Sequence, residues 1–246
     1  MLLTAGMHTL WRFLEEGQRL LRPVSVVDGP AADAFERPTL AAASMRLRLL
    51  VIYVLLGGMA YGAVVGAFPG HHGPRPLQML FSAVKVPLLL LVSFGLTLPS
   101  FFVLNTLAGL RGDFHLALRA IVSTQAALAI ILAGLGPLTA VWYLSSANYP
   151  AATLFNGLMF AIASFSAQWP LRRRYEPLIR RNPRHRVMLV AWLVVYVFVA
   201  IQMAWVLRPF LGDPDRPTAF FRQEPWGNAY VVVFQLFGKA LGWGQS

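Results

Sequence analysis

An all-α, polytopic transmembrane helical bundle of about five spans is the fold class this chain predicts. It adds an N-terminal amphipathic helix and a C-terminal interfacial or re-entrant helix. Three observations predict it. Of the 246 residues, 57% are hydrophobic and 13% charged, and the mean hydropathy is +0.58, outside the range of soluble globular domains. Apolar stretches of about 20 residues, the length that crosses ~30 Å of hydrocarbon, recur along it. Counted over alternate connections, Lys and Arg divide fifteen to six. That bias places the N-terminus and the Arg-rich connections in the cytoplasm.

Other classes fall away on composition. With no cysteine there is no disulfide, thiolate nucleophile or Cys-ligated metal centre. A net charge of +11 would suggest nucleic acid in a soluble domain. Here most of the excess flanks apolar spans, where it sets topology and meets anionic lipid, so nucleic acid is not an expected partner.

At 1–22, Leu3, Met7, Leu10, Leu14 and Leu21 recur at helical spacing, with His8, Arg12, Glu15, Glu16 and Arg19 on the other side. This predicts an amphipathic interfacial helix, on the membrane or on the protein's own face. Glu15 and Glu16 exclude a signal-peptide reading. Residues 23–48 are rich in Pro, Ala and Asp and read as a linker. A bundle spanning 49–207 follows. Its first span, 49–68, carries Gly58, Gly62 and Gly66 at every fourth position, so another backbone can approach that face, within the chain or in a homodimer. In the next loop His71 and His72 are adjacent, with no nearby carboxylate to complete a metal set.

The second span, 85–109, holds no charge after Lys85. Pro87 is expected in its first turn, where a missing N–H does no harm. Pro99 is interior, deprives the Gly95 carbonyl of its partner and predicts a kink, which Thr97 and Ser100 can re-satisfy. With Ser93, Asn105 and Thr106, this polar load makes the helix the expected hub for interhelical hydrogen bonds. Lining a cavity is the alternative. Asp113 is a candidate cap for the third span, 120–144, which Pro137 should bend by freeing the Ala133 carbonyl. Trp142 and Tyr143 close it as interfacial anchors. The short connection 145–150 makes the third and fourth spans antiparallel neighbours.

The fourth span, 151–169, carries Asn156, Ser164, Ser166 and Gln168. Beyond it Pro170, Pro177 and Pro183 predict no long helix. Arg172, Arg173, Arg174, Arg180 and Arg181, with Arg184 and Arg186, are therefore expected in a compact loop that touches anionic headgroups or a protein partner. The fifth span, 187–207, contains Trp192, Tyr196, Gln202 and Trp205. Residues 208–246 read as an extracytoplasmic Pro/aromatic segment and a short apolar helix at 228–243. Phe210, Phe220, Phe221 and Trp226 are expected there on a stiff binding surface or as an interfacial anchor. Asp213, Asp215 and Glu224 form no recognised calcium loop.

The stretch 104–119, LNTLAGLRGDFHLALR, resembles the turn between spans in the Yip family of multi-pass proteins, a Gly followed by a short helix-starting segment. The N-terminal half and the RPFLGDPD segment are similar to uncharacterised bacterial polytopic membrane proteins. The Yip likeness implies a cytosolic N-terminus, about five spans, and membrane organisation or partner recruitment rather than catalysis. It carries no site residues across. With the bacterial likeness, the expected location is a bacterial inner membrane.

Function follows by weighing chemistry. No read span holds an interior Asp, Glu or His, so neither an intramembrane hydrolase nor an ion-coupled carrier is expected, and no catalytic residue, cofactor or metal is assigned. The expectation is a non-enzymatic scaffold or accessory subunit that organises other membrane components. The alternative is a neutral-solute transporter or oligomeric channel component lined by Asn105, Gln125, Asn156 and Gln202.

Overall fold

The computed structural model describes residues 15–18, 40–68, 75–213 and 217–221. Five long helices build it: α1 (Leu40–Gly66), α2 (Pro76–Leu107), α3 (Phe114–Ser145), α4 (Tyr149–Arg181) and α5 (Arg184–Leu207), with a 3-10 turn at Arg111–Asp113 before α3. There is no strand among the described residues, and all five helices contain a stretch long and apolar enough to cross a membrane. At 32 residues α2 and α3 run about 48 Å, well beyond the ~30 Å of a hydrocarbon core. Apart from residues 15–18, the N-terminal helix reading lies outside the described residues, as do His71, His72, Asp215, Glu224, Trp226 and 228–243. Residues 15–18 are helical, and Gly17 is buried against the Tyr53 ring of α1.

Helix starts and stops differ from expectation in ways local chemistry explains. α1 begins at Leu40, inside the stretch read as linker, because Ala41, Ala42 and Ala43 are strong helix formers. α2 begins at Pro76, nine residues before Lys85, so Pro87 is interior rather than in the first turn. α2 ends in a Schellman motif: Leu110 N–H donates to Asn105 O at 2.8 Å, Gly109 N–H to Thr106 O at 3.1 Å, and Gly109 sits at φ 74°. Only glycine takes that conformation without strain. Asp113 stands at the N-cap position of α3 but makes no capping bond, because its carboxylate is turned to His185. Asn148 does cap α4, accepting from Ala151 N–H at 3.0 Å.

The largest correction concerns the basic stretch. α4 continues through Pro170 and Pro177 to Arg181, so the arginines ride on a helix rather than in a compact loop. Each proline removes one backbone donor, leaving the carbonyls of Ser166 and Arg173 without their helical partner. Leu171, Tyr175 and Leu178 repeat at helical spacing and bury against α3 and α5, which holds the segment helical despite the prolines. Pro183 does end it, at the N-cap of α5.

Packing is centred on α1 and α2, the pair in most extensive contact. α1 lies on α2 and α3, α4 on α3, and α5 chiefly on α2. The glycine face of α1 makes the tightest seam. A methyl built on Gly58 would stand 3.0 Å from Pro87 N, and one on Gly66 2.6 Å from Gln78 O. One on Gly62 would overlap the Ser82 carbonyl, and one on Gly57 would stand 2.7 Å from Ala129 O on α3. The glycines thus put α1 backbone directly against α2 backbone within one chain. Two apolar cores result. One, around Tyr61, Val65, Phe68, Leu90 and Leu132, fills the bundle between α1 and α4. The other, around Phe101, Ile121, Leu171, Tyr175 and Trp192, fills the Arg-rich end.

Candidate functional site

Three side chains on one face of α2, Gln78, Ser82 and Lys85, are fully buried at the spacing i, i+4, i+7. The segment that follows α5 folds back over them. Lys85 Nζ donates to Pro209 O at 2.7 Å, and Gln78 Nε2 donates to Pro209 O at 3.3 Å and Phe210 O at 3.1 Å. Ser82 Oγ donates to Phe210 O, and Arg75 reaches Asp213 O at 2.6 Å. Gly212 permits this approach, since a methyl there would press on Gln78 Cγ at 3.3 Å. The Lys85 ammonium also lies 4.8 Å from the centroid of Phe220, which packs edge-on against Phe81 and Phe221. Among the described residues no carboxylate pairs with this ammonium; a carbonyl and a ring face are its partners.

This overturns two expectations. The helix of the second span starts before Lys85 and carries this charge buried within it, where an unpaired charge is costly. Phe210 and Phe220 are not freely displayed: Phe210 packs on the apolar core and Phe220 on α2, while Phe221 is 50% exposed. The polar period of Gln78, Ser82 and Lys85 within an otherwise apolar run was the signal for this clasp. Reading 69–85 as a loop hid it.

The other polar residues are absorbed into packing. Asn156 takes a hydrogen bond from Tyr61 at 3.3 Å and gives them to Tyr143 and to Ala152 O at 2.5 and 2.7 Å, joining α1, α3 and α4. Tyr196 of α5 donates to Gln125 of α3 at 2.9 Å. The hub reading of α2 is corrected in part. α1 and α5 pack on it, but Asn105 donates to Phe101 O and Thr97 to Phe94 O, both on α2 itself, so neither serves a neighbour or the Gly95 carbonyl. Pro99 lies on the exposed side.

At the opposite, basic end, His185 is buried with Nε2 3.2 Å from Asp113 Oδ2, and Arg184 reaches the Ala108 carbonyl at 3.4 Å. Arg174 turns inward to Ser123, whereas Arg172, Arg173, Arg180 and Arg181 are exposed. Arg173 lies over the Trp169 ring at 5.2 Å, and Arg180 holds Glu176 at 2.7 Å. Among the described residues no three His, Asp or Glu side chains gather where they could hold a metal ion.

Fold and sites together define an integral membrane protein, a single-chain bundle of five apolar helices with one polar clasp and one basic end. Comparison with protein-family models, with curated proteins and with solved structures finds no match to this chain. Function is therefore argued from the geometry.

Proposed function

We propose that the protein is a non-enzymatic membrane scaffold or accessory subunit, its N-terminus in the cytoplasm, that holds other membrane components at its two built ends. The observation that carries this reading is the fate of the amide side chains. Of the four that a solute path would use, Gln125 and Asn156 bond tyrosines across helix seams and Asn105 bonds its own helix, while the Gln202 Oε1 is buried without a hydrogen bond among the described residues. Gln125 and Asn156, committed to holding helices together, are poor solute ligands. Each end is fastened by contacts of the fold. One displays Arg172, Arg173, Arg180 and Arg181 on a helix, suited to anionic headgroups or an acidic protein face; the other fastens an aromatic segment by its carbonyls. Preorganised surfaces of this kind lose less entropy on binding a partner.

Purification from the native membrane in mild detergent, with mass measurement of what co-elutes, tests it. A stoichiometric partner is expected, and it should be lost on replacing Arg172, Arg173, Arg180 and Arg181 with Gln, or Phe221 with Ser. Arg174 and Phe220 are unsuitable probes because both serve the fold. A clean monomer that conducts a solute in liposomes would overturn the reading. The buried Lys85 favours a second reading, a path for an anionic solute under the 208–213 segment. Flux abolished by Lys85→Met in a correctly folded protein would establish that one instead.

A further inference from the structure

α5 is the least covered span: 11% of its apolar window is buried, against 39% for α1. Near its start Arg186, Val187, Val190 and Ala191 line an open groove of about 370 Å³. These residues form two adjacent i, i+4 pairs, and the small side chain of Ala191 makes the depression. Below it the exposed side chains Val194, Val197 and Ile201 continue the track at alternating steps of three and four. From Val187 to Ile201 the track is about 21 Å long, more than the ~15 Å depth of one leaflet.

The groove itself has three apolar side chains and Arg186, and below it the exposed apolar stripe of α5 runs on. Arg186 is exposed, and its side chain makes no ion pair or hydrogen bond among the described residues. The two acids described nearby are already engaged, Glu176 by Arg180 and Asp113 by His185. Exposed Arg172 and Arg181 of α4 add to the same positive field. A cation at one end of an exposed apolar stripe complements an anionic amphiphile.

We propose that this groove seats one acyl chain of an anionic phospholipid whose phosphate is held by Arg186. The site deepens the basic-end reading above by naming its lipid, and it requires only that the chain be membrane-inserted, not that a protein partner exists. Because an arginine beside an anionic lipid surface strengthens attraction by roughly fivefold, the preference is for charge, with the groove giving it a place.

The test uses the full chain in vesicles holding equal amounts of phosphatidylglycerol and phosphatidylcholine, one or the other bearing a photoreactive acyl chain, with crosslinks mapped by mass. Labelling at 187–191 should favour phosphatidylglycerol by about fivefold. Arg186→Gln, an exposed change that leaves folding intact, should bring the ratio to about one, and Ala191→Phe should reduce labelling by both lipids. Excess inorganic phosphate should not compete. Equal labelling by the two lipids in the unaltered protein overturns the proposal, as does a preference that survives Arg186→Gln. Competition by phosphate would make it a free-anion site, and a chain-to-chain crosslink through α5 would make the face a dimer interface; either outcome also overturns it.

Discussion

α1 and α5 lie against α2 by opposite means. α1 is joined along its length by glycines that bring backbone onto backbone. α5 is pinned mainly at its two ends: at one by His185 on Asp113 and Arg184 on Ala108 O, and at the other by the 208–213 segment clasped on Gln78, Ser82 and Lys85. A seam of small residues gains close packing over many atoms and tolerates almost no added volume. A helix pinned at its ends can leave its middle to lipid or to a partner. Contact with α2 alone therefore does not say how permanently a helix is attached.

The largest expected effect breaks the first of these arrangements. Gly62→Leu drives a branched side chain into the Ser82 carbonyl, with backbone on both sides and no flexible neighbour to yield. We expect about 3 kcal/mol or more of destabilisation and loss of monodisperse protein in detergent. Gly134→Ala and Gly157→Ala, where no atom lies within 4 Å of the new methyl, serve as controls and should be neutral or slightly stabilising. Equal damage at all three positions would mean that the seam is not special.

Next comes the pin beyond α5. Lys85→Met keeps the apolar stem but removes the donor to Pro209 O and the charge over Phe220. Losing a charged hydrogen bond costs about 1.5–3 kcal/mol, partly offset because a buried cation no longer needs desolvating. The net expectation is about 1 kcal/mol, concentrated in the clasp. Limited proteolysis should then cut at 208–221 several times faster while the helices stay resistant. Uniform weakening of the whole bundle would show that Lys85 supports the core rather than the clasp.

Tyr196→Phe tests the polar side-chain contact that the described residues make in the middle of α5. Deleting its bond to Gln125 should cost about 0.6 kcal/mol, the average for interhelical hydrogen bonds in membranes. A loss approaching that of Gly62→Leu, measured by the same unfolding assay, would make α5 a seam helix like α1.

How much of this was legible in the sequence depended on whether the signal was local. The five apolar helices, the glycine face and the break at Gly109 follow from local length, spacing and backbone freedom. Lys85 was visible only as a residue at the edge of an apolar run, because its burial depends on a segment 124 positions away folding back over it. The pairing of His185 with Asp113 crosses 72 positions and was likewise hidden. Pro170 and Pro177 misled for the converse reason. Their local preference is real, but Leu171, Tyr175 and Leu178 find a core that outweighs it. The exposed arginines were readable as a group, but the inward turn of Arg174 was not.

The smallest effect sharpens what holds that α4 extension beneath the start of α5. Glu176 and Arg180 form an i, i+4 pair at 2.7 Å, with side chains 52% and 74% exposed. Such a pair contributes a few tenths of a kcal/mol, since solvent screens the attraction and two long side chains must be ordered. Arg180→Gln should therefore change amide exchange in 178–181 by less than about twofold. Tyr175→Ala, which empties the buried face beside His185, should accelerate it by more than tenfold, since truncating a buried aromatic costs about 3–5 kcal/mol. If Arg180→Gln had the larger effect, the extension would hang on its surface charges, and the pin at the start of α5 would weaken with added salt.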